Sequence, residues 1–240
     1  MDGRSFGKSM LRVSNNNIQK MKDRFKYGIF DLDGTIVNSI PTYTETLTEI
    51  LDRRFGIKGE DVISYYMNST GTPLEEQFRH VLEMKNNPSK KIPEMIVEFF
   101  DIVNKKDFVL YDNAKKVLKE LFDKGIKLFL TTGSEDEETK IRLDDAGISK
   151  YFTEVLGSSR KEKGPWHIEV FSKVAGKKID DFSRNAFYVG DGPYDMHIAK
   201  MFEIFAIGVS TTVSKSLLLE SGADEVVEKI GDILELDGLK

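Results

Sequence analysis

The sequence predicts an α/β fold: a parallel β-sheet between helical layers, with a helical module inserted near its start. Three observations lead there. Short apolar runs end abruptly on polar, glycine-containing tips, stretches with helical apolar spacing separate those runs, and one long segment interrupts the alternation with helical spacing alone. Strand and helix alternate in this way in parallel β-α units, because parallel neighbours need a crossover connection and a helix usually supplies it.

In chain order, residues 1–24 read as a basic N-terminal tail. Arg4, Lys8, Arg12, Lys20, Lys22, Arg24 and the adjoining Lys26 face only Asp2 and Asp23, and the run Ser14 to Asn17 is polar. The tail lacks the apolar stretch of a secretory signal and is expected to lie outside the core. Tyr27-Gly28-Ile29-Phe30 is short, apolar and aromatic and stops at Asp31-Leu32-Asp33-Gly34-Thr35, as a buried strand ending in a turn would. From 38 to 107, Tyr43, Leu47, Ile50 and Leu51, then Phe78, Val81 and Leu82, then Met95, Ile96, Phe99 and Phe100 fall at helical spacing, divided by polar connectors at 85–91 and 105–107. This segment is expected to form a helical cap.

Beyond it, Val117, Leu118, Leu121 and Phe122 mark a helix before an apolar strand, Ile126 to Leu130, that stops at Thr131-Thr132-Gly133-Ser134. Ile168, Phe171, Ser172 and Ala175 mark another before the strand Ala186 to Val189, which stops at Gly190-Asp191-Gly192-Pro193. Residues 25–37 and 108–240 are therefore expected to form a Rossmann-like three-layer core. In open parallel sheets ligands bind beyond the carboxyl ends of the strands, where these three tips converge.

Composition narrows the function. The 240 residues are 40% hydrophobic and 31% charged and contain no run of about 20 apolar residues, which excludes collagen-like, disordered and helical membrane-spanning classes. With no Cys, disulfide scaffolds, zinc ribbons and thiol nucleophiles are excluded, and a reducing, cytoplasmic location fits. A net charge of −5 argues against nucleic acid as partner, since its binders carry a basic face. A small-molecule substrate is expected, no membrane, and a monomer or homodimer.

The polar tips carry the chemistry. Asp31 and Asp33, two apart at a strand end, allow one carboxylate to attack while the other transfers a proton, and Gly34 lets the chain turn closely around a ligand. Thr131, Thr132 and Ser134 offer hydroxyls, although Ser134 with Glu137 also has capping-box spacing. Lys161 and Lys163 lie in a charged segment where a cation can neutralise a phosphoryl oxygen. Asp191 and Asp195 supply the oxygens a hard cation such as Mg²⁺ prefers. His80, His167 and His197 are scattered without metal-site spacing and read as surface or half-buried residues, while Trp166 and the Phe99-Phe100 pair read as packing.

Taken together and in this order, these residues resemble the haloacid dehalogenase (HAD) superfamily, specifically its phosphatase branch with a helical cap, which includes phosphoglycolate phosphatases and β-phosphoglucomutases. The resemblance runs from Tyr27 to the C-terminus. Phe30 to Thr35 resembles the first motif, Thr132-Gly133-Ser134 the second, Lys163 the third, and Gly190-Asp191 with Asp195 the fourth. It implies a Mg²⁺-dependent phosphomonoester hydrolase acting through an aspartyl-phosphate. Asp31 would be the nucleophile and Asp33 the acid and then base. Thr132, Gly133 and Lys163 would bind the phosphoryl group. Mg²⁺ would sit on Asp31, the Asp33 carbonyl and Asp191, with Asp195 orienting that shell. Thr70-Gly71-Thr72 and Arg79 are candidates for contacts from the cap. A sugar phosphomutase shares every core residue and is the alternative, whereas dehalogenases typically lack the second carboxylate. Two positions depart from the family pattern. Lys163-Gly164-Pro165 replaces the usual Lys-Pro, leaving Lys161 as a rival, and Glu203 stands where many relatives have Gly before the next strand.

Overall fold

The computed structural model describes residues 25–58, 60–69, 73–106 and 109–239. Strands β1 (Tyr27–Asp31), β2 (Lys127–Thr131), β3 (Phe152–Leu156), β4 (Ala186–Gly190), β5 (Phe205–Val209) and β6 (Glu225–Val227) form one 6-stranded sheet in the order β3-β2-β1-β4-β5-β6. Every neighbouring pair is parallel. β1 and β4 are buried along their whole length, the burial expected of central parallel strands covered on both faces.

Successive strand residues point to opposite faces, so each strand feeds two cores. Phe30, Leu128, Leu130 and Phe187 pack on one side against Leu118 and Leu121 of a helix, α5 (Ala114–Asp123). Ile29, Phe129 and Tyr188 pack on the other against Phe171, Phe182 and Met196, which belong in turn to α7 (Pro165–Val174), α8 (Ile179–Ser183) and α9 (Pro193–Met201). α6 (Asp136–Asp145) follows β2, and α10 (Lys215–Glu220) follows β5.

Between β1 and α5 lie four helices: α1 (Ile40–Phe55), α2 (Glu60–Asn68), α3 (Leu74–Met84) and α4 (Ile92–Val103). They have a core of their own, built from Leu47, Ile50, Phe78, Leu82, Met95 and Phe99, the residues at helical spacing in the sequence. Proline in the first turn starts α1 and α4 at no hydrogen-bonding cost, since those amides have no intrahelical partner. No helix among the described residues is long and apolar enough to cross a membrane. The basic tail, the Thr70-Gly71-Thr72 run and positions 107 and 108, at the expected return to the core, lie outside the described residues.

Three strand tips are legible in the sequence, but the sheet has six strands. β3 is a partly exposed edge strand and β6 spans only 3 residues, so neither carries a long apolar run. Phe122, one of the apolar residues that mark α5 in the sequence, is 48% exposed and meets Tyr151 edge-on at 5.7 Å.

Glu203 adopts φ 54°, in the left-handed region, where the chain leaves α9. Its N–H donates to the Lys200 carbonyl at 3.1 Å, and the Ile204 N–H donates to Ala199 at 2.9 Å, closing the helix before β5. The turn is thus the one that glycine makes without a Cβ penalty, built here with a side chain. Glu203→Gly should raise the unfolding free energy by about 1 kcal/mol in urea titrations, with Glu203→Ala giving no comparable gain.

Candidate active site

The tips of β1, β2, β4 and β5 meet at one end of the sheet. Asp31 ends β1, and the chain turns through Gly34 at φ 80°, where a Cβ would collide with the Asp191 carboxylate. The Gly34 carbonyl accepts a hydrogen bond from Thr211 Oγ1 at 2.5 Å, tying this turn to the segment after β5.

Asp31, Lys163, Asp191 and Asp195 are all buried. Lys163 Nζ lies 2.6 Å from Asp31 Oδ1 and 2.6 Å from Asp195 Oδ1. Thr35 Oγ1 sits between two carboxylates, 3.3 Å from Asp31 Oδ2 and 3.2 Å from Asp191 Oδ1, and Thr212 Oγ1 donates to Asp191 Oδ2. Asp195 also accepts from the Tyr188 hydroxyl at 3.1 Å and from the Gly192 N–H at 3.2 Å, which holds it as an internal anchor at the start of α9. Lys161 is exposed, so the structure brings Lys163 to the carboxylates and leaves its rival outside.

Asp33 turns the other way. Its Oδ2 lies 3.4 Å from Thr132 Oγ1 and 3.2 Å from Ser134 Oγ, and the Ser134 N–H donates to Thr132 Oγ1 at 3.1 Å. The capping-box reading of Ser134 is corrected: Glu135 precedes the first turn of α6, and the Ser134 hydroxyl faces Asp33. The hydroxyl of Tyr43, from α1, is close to the same pair, and burial with the Asp33 charge holds it protonated.

The electrostatics show an excess of buried negative charge. Burial pushes the Asp31 carboxyl well above the usual range, with Asp195 and Asp191 adding to the effect while Lys163 opposes it. Asp191 is pushed up to about 7, again by burial first and then by Asp195. Burial also works against the Lys163 ammonium, but Asp195 and Asp31 outweigh it and keep it protonated. One ammonium does not balance these carboxylates in a dry site. Asp31, Asp191 and Asp195 present oxygens that all lie within 4.8 Å of one another, a donor set of the hard-oxygen kind that Mg²⁺ takes, and the unbalanced charge fits a divalent cation.

Above these tips, a cavity of about 310 Å³ separates the core from α1 to α4. Asp31, Asp33, Thr132, Gly133, Ser134 and Lys163 line its core side, and Tyr43, Tyr66, Gln77, Phe99 and Phe100 line the helical side. Phe99 does pack, edge-on to Tyr43 at 5.2 Å, but the aromatic pair also faces the cavity. Arg79 does not line it; this exposed side chain pairs with Glu75 one turn back on α3. None of Thr35, Thr212, Tyr43 and Tyr188 is expected in the site from the sequence: Thr35 reads only as the end of the first motif and Tyr43 only as a position at helical spacing. For Thr212 a signal existed, since the apolar run of β5 ends on Ser210-Thr211-Thr212 as the other strands end on their polar tips.

His167 corrects another expectation. It is fully buried, with Nδ1 hydrogen-bonded to Thr131 Oγ1 at 2.6 Å, because α7 turns it under the tip of β2.

Fold and site together define an enzyme whose chemistry is gathered at the carboxyl edge of a parallel sheet. The chain belongs to the haloacid dehalogenase-like hydrolase family, whose model matches residues 28–209. It is 26% identical to the pyrophosphatase PpaX of Listeria innocua over 87% of this chain and 94% of that protein. It is also 25% identical to a phosphoglycolate phosphatase of Vibrio vulnificus, over 86% of this chain and 93% of the relative. A crystal structure described as a predicted phosphatase from Clostridium acetobutylicum superposes with a TM-score of 0.72 at 27% identity, covering 88% of this chain and 99% of the other.

Burial lowers the His167 pKa from 6.5 to about 4, so on acidification the unfolded chain takes up this proton first. The stability His167 contributes is complete above about 6.5 and is lost as pH falls toward 4, by up to about 3 kcal/mol. Urea titrations of the wild type and His167→Gln between these limits should show a shallower fall in stability for the variant.

Proposed function

We propose that the protein is a Mg²⁺-dependent phosphomonoester hydrolase of small molecules, working through an aspartyl-phosphate on Asp31. The observation that carries the reading is the pairing of the Asp31 carboxylate with Lys163 at 2.6 Å, beside a second carboxylate, Asp33, oriented by Thr132 and Ser134 across the same cavity floor.

In the first step an Asp31 carboxylate oxygen attacks phosphorus and the bond from phosphorus to the leaving oxygen breaks. Asp33, protonated, gives its proton to that oxygen, so the alcohol departs neutral. In the second step Asp33, now ionised, takes a proton from water as that water attacks phosphorus. The bond from phosphorus to Asp31 then breaks, releasing inorganic phosphate and restoring both carboxyl groups. An ammonium has three N–H donors; two of those on Lys163 are directed to Asp31 and Asp195, leaving one for a phosphoryl oxygen. The Thr132 hydroxyl and the Gly133 amide serve the other oxygens, which gather charge in the transition state.

Asp31, Asp191 and the Asp33 carbonyl would hold the cation, and Asp195, anchored by Lys163, Tyr188 and Gly192, would keep that shell in place. Bound there, Mg²⁺ supplies charge that offsets the repulsion between an anionic nucleophile and an anionic phosphate. The helices above the cavity act as a cap that excludes bulk water and bears on the leaving group.

Phosphate release from a phosphomonoester panel should require Mg²⁺, vanish in EDTA and be abolished by Asp31→Asn; full turnover by that variant would sink the nucleophile assignment. Asp33→Asn should lower kcat by about 10²- to 10⁴-fold while leaving the fold intact. Mg²⁺ should also raise the melting temperature of the wild type. Because the cation binds ionised carboxylates and burial pushes Asp191 up to about 7, that gain should shrink as pH falls below this value, as a thermal-shift series with and without Mg²⁺ would show.

A further inference from the structure

The wall of the cavity opposite the carboxylates differs in kind from its floor. Ile40, Pro73, Leu74, Ile96, Phe99 and Phe100 make it largely apolar and aromatic. Ile96, Phe99 and Phe100 come from one face of α4, at the i, i+3, i+4 spacing that aligns side chains along a helix. The polar groups on this side are the uncharged hydroxyls of Tyr43 and Tyr66 and amide of Gln77, together with one anion, Glu75.

Among the described residues lining the cavity, Lys163 is the one cation, and Asp31 and Asp195 hold it at the floor. The other charged lining residues are the anions Asp31, Asp33, Glu75 and Glu162. Two arginines stand behind the lining: Arg79 pairs with Glu75, and Arg142, whose charge acts on the Tyr43 hydroxyl, donates to the Val103 carbonyl at 3.1 Å and lies 3.4 Å from Glu138. Thr70, Gly71 and Thr72, which precede the lining residue Pro73, are uncharged.

A leaving group with its own negative charge would therefore meet a largely apolar wall and, among the described residues lining the cavity, carboxylates with no cation besides Lys163, and burying an unpaired anion is costly. An uncharged apolar body would instead gain from leaving water. At about 310 Å³ the space is at the small end of ligand pockets, room for a phosphoryl group and a body the size of one ring.

We propose that this cavity selects phosphomonoesters of small, uncharged alcohols with an apolar or aromatic body, and rejects substrates whose leaving group is itself an anion, pyrophosphate and phosphorylated hydroxy acids among them. The proposal rests on the phosphomonoester hydrolase reading. It separates this chain from the substrates in the names of its relatives, through the wall that α1, α3 and α4 build.

The test compares kcat/KM of the full chain with Mg²⁺ on benzyl phosphate, phosphoglycolate, pyrophosphate and glucose 6-phosphate. Benzyl alcohol and glycolate leave with similar basicity, so their ratio reads the cavity. Benzyl phosphate should be preferred by about tenfold or more, and Ile96→Lys, which places a cation on the wall, should shift the ratio toward phosphoglycolate by a similar factor. Calorimetric binding of benzyl phosphate and phosphoglycolate to Asp31→Asn reads the same preference without turnover. Equal or better use of phosphoglycolate, pyrophosphate or glucose 6-phosphate, or tighter binding of phosphoglycolate to Asp31→Asn, overturns the proposal while Asp31-dependent release still supports the hydrolase. Release that survives Asp31→Asn, or that occurs with no phosphomonoester, overturns the hydrolase reading, and the binding ratio then decides the selectivity by itself.

Discussion

The site depends on one constraint: Asp31, Asp191 and Asp195 are buried together around a single ammonium, Lys163. Carboxylates crowded in a dry site resist ionising, and the elevated pKa values of Asp31 and Asp191 express that resistance. The surrounding structure contains it with hydrogen bonds. Thr35 and Thr212 serve Asp191, Tyr188 and the Gly192 amide serve Asp195, and Gly34 removes the Cβ that would strike Asp191. These partners come from three different strands, β1, β4 and β5, and the turns that follow them, so the cluster exists only when the sheet is assembled.

The sheet explains why the cluster can be held so closely. β1, at its centre, is flanked by β2 and β4, and all three are hydrogen-bonded in register and covered by apolar side chains on both faces. Charged groups at the tips of such strands rest on rigid supports with little freedom to relax away from one another. The same rigidity places Asp33, two residues beyond the nucleophile candidate, on the β2 side of the floor, so neighbouring carboxylates have separate partners and can play separate chemical parts.

Floor and wall divide the work. Polar and charged groups from the core tips face one side of the cavity, and apolar and aromatic groups from the inserted helices face the other. The helices have a core of their own, so the wall can vary in composition without disturbing the carboxylates. A family that shares its floor residues can in this way differ in what it accepts above them.

The sequence by itself determined the α/β class, the helical insertion and the residues of the floor. Each is a local signal: an apolar run stopping at a polar tip, apolar residues at helical spacing, or carboxylates two residues apart. Asp31, Asp33, Thr132, Asp191 and Asp195 were legible because each sits at or near such a break in pattern, whereas Lys163 lies in a charged segment and stood out only through the family resemblance, with Lys161 as a rival. Only the tertiary structure decided that Lys163 and not Lys161 reaches the carboxylates, that Ser134 faces Asp33 instead of capping α6, and that His167 lies buried under Thr131. It also recruited Thr35, Thr212 and Tyr188 and assembled the cavity wall. The edge strands β3 and β6, half exposed or very short, left too weak an apolar pattern to read. Periodicity reports which face of an element is buried, whereas the partner a side chain meets depends on contacts between residues far apart in the chain, and those exist only in the folded protein.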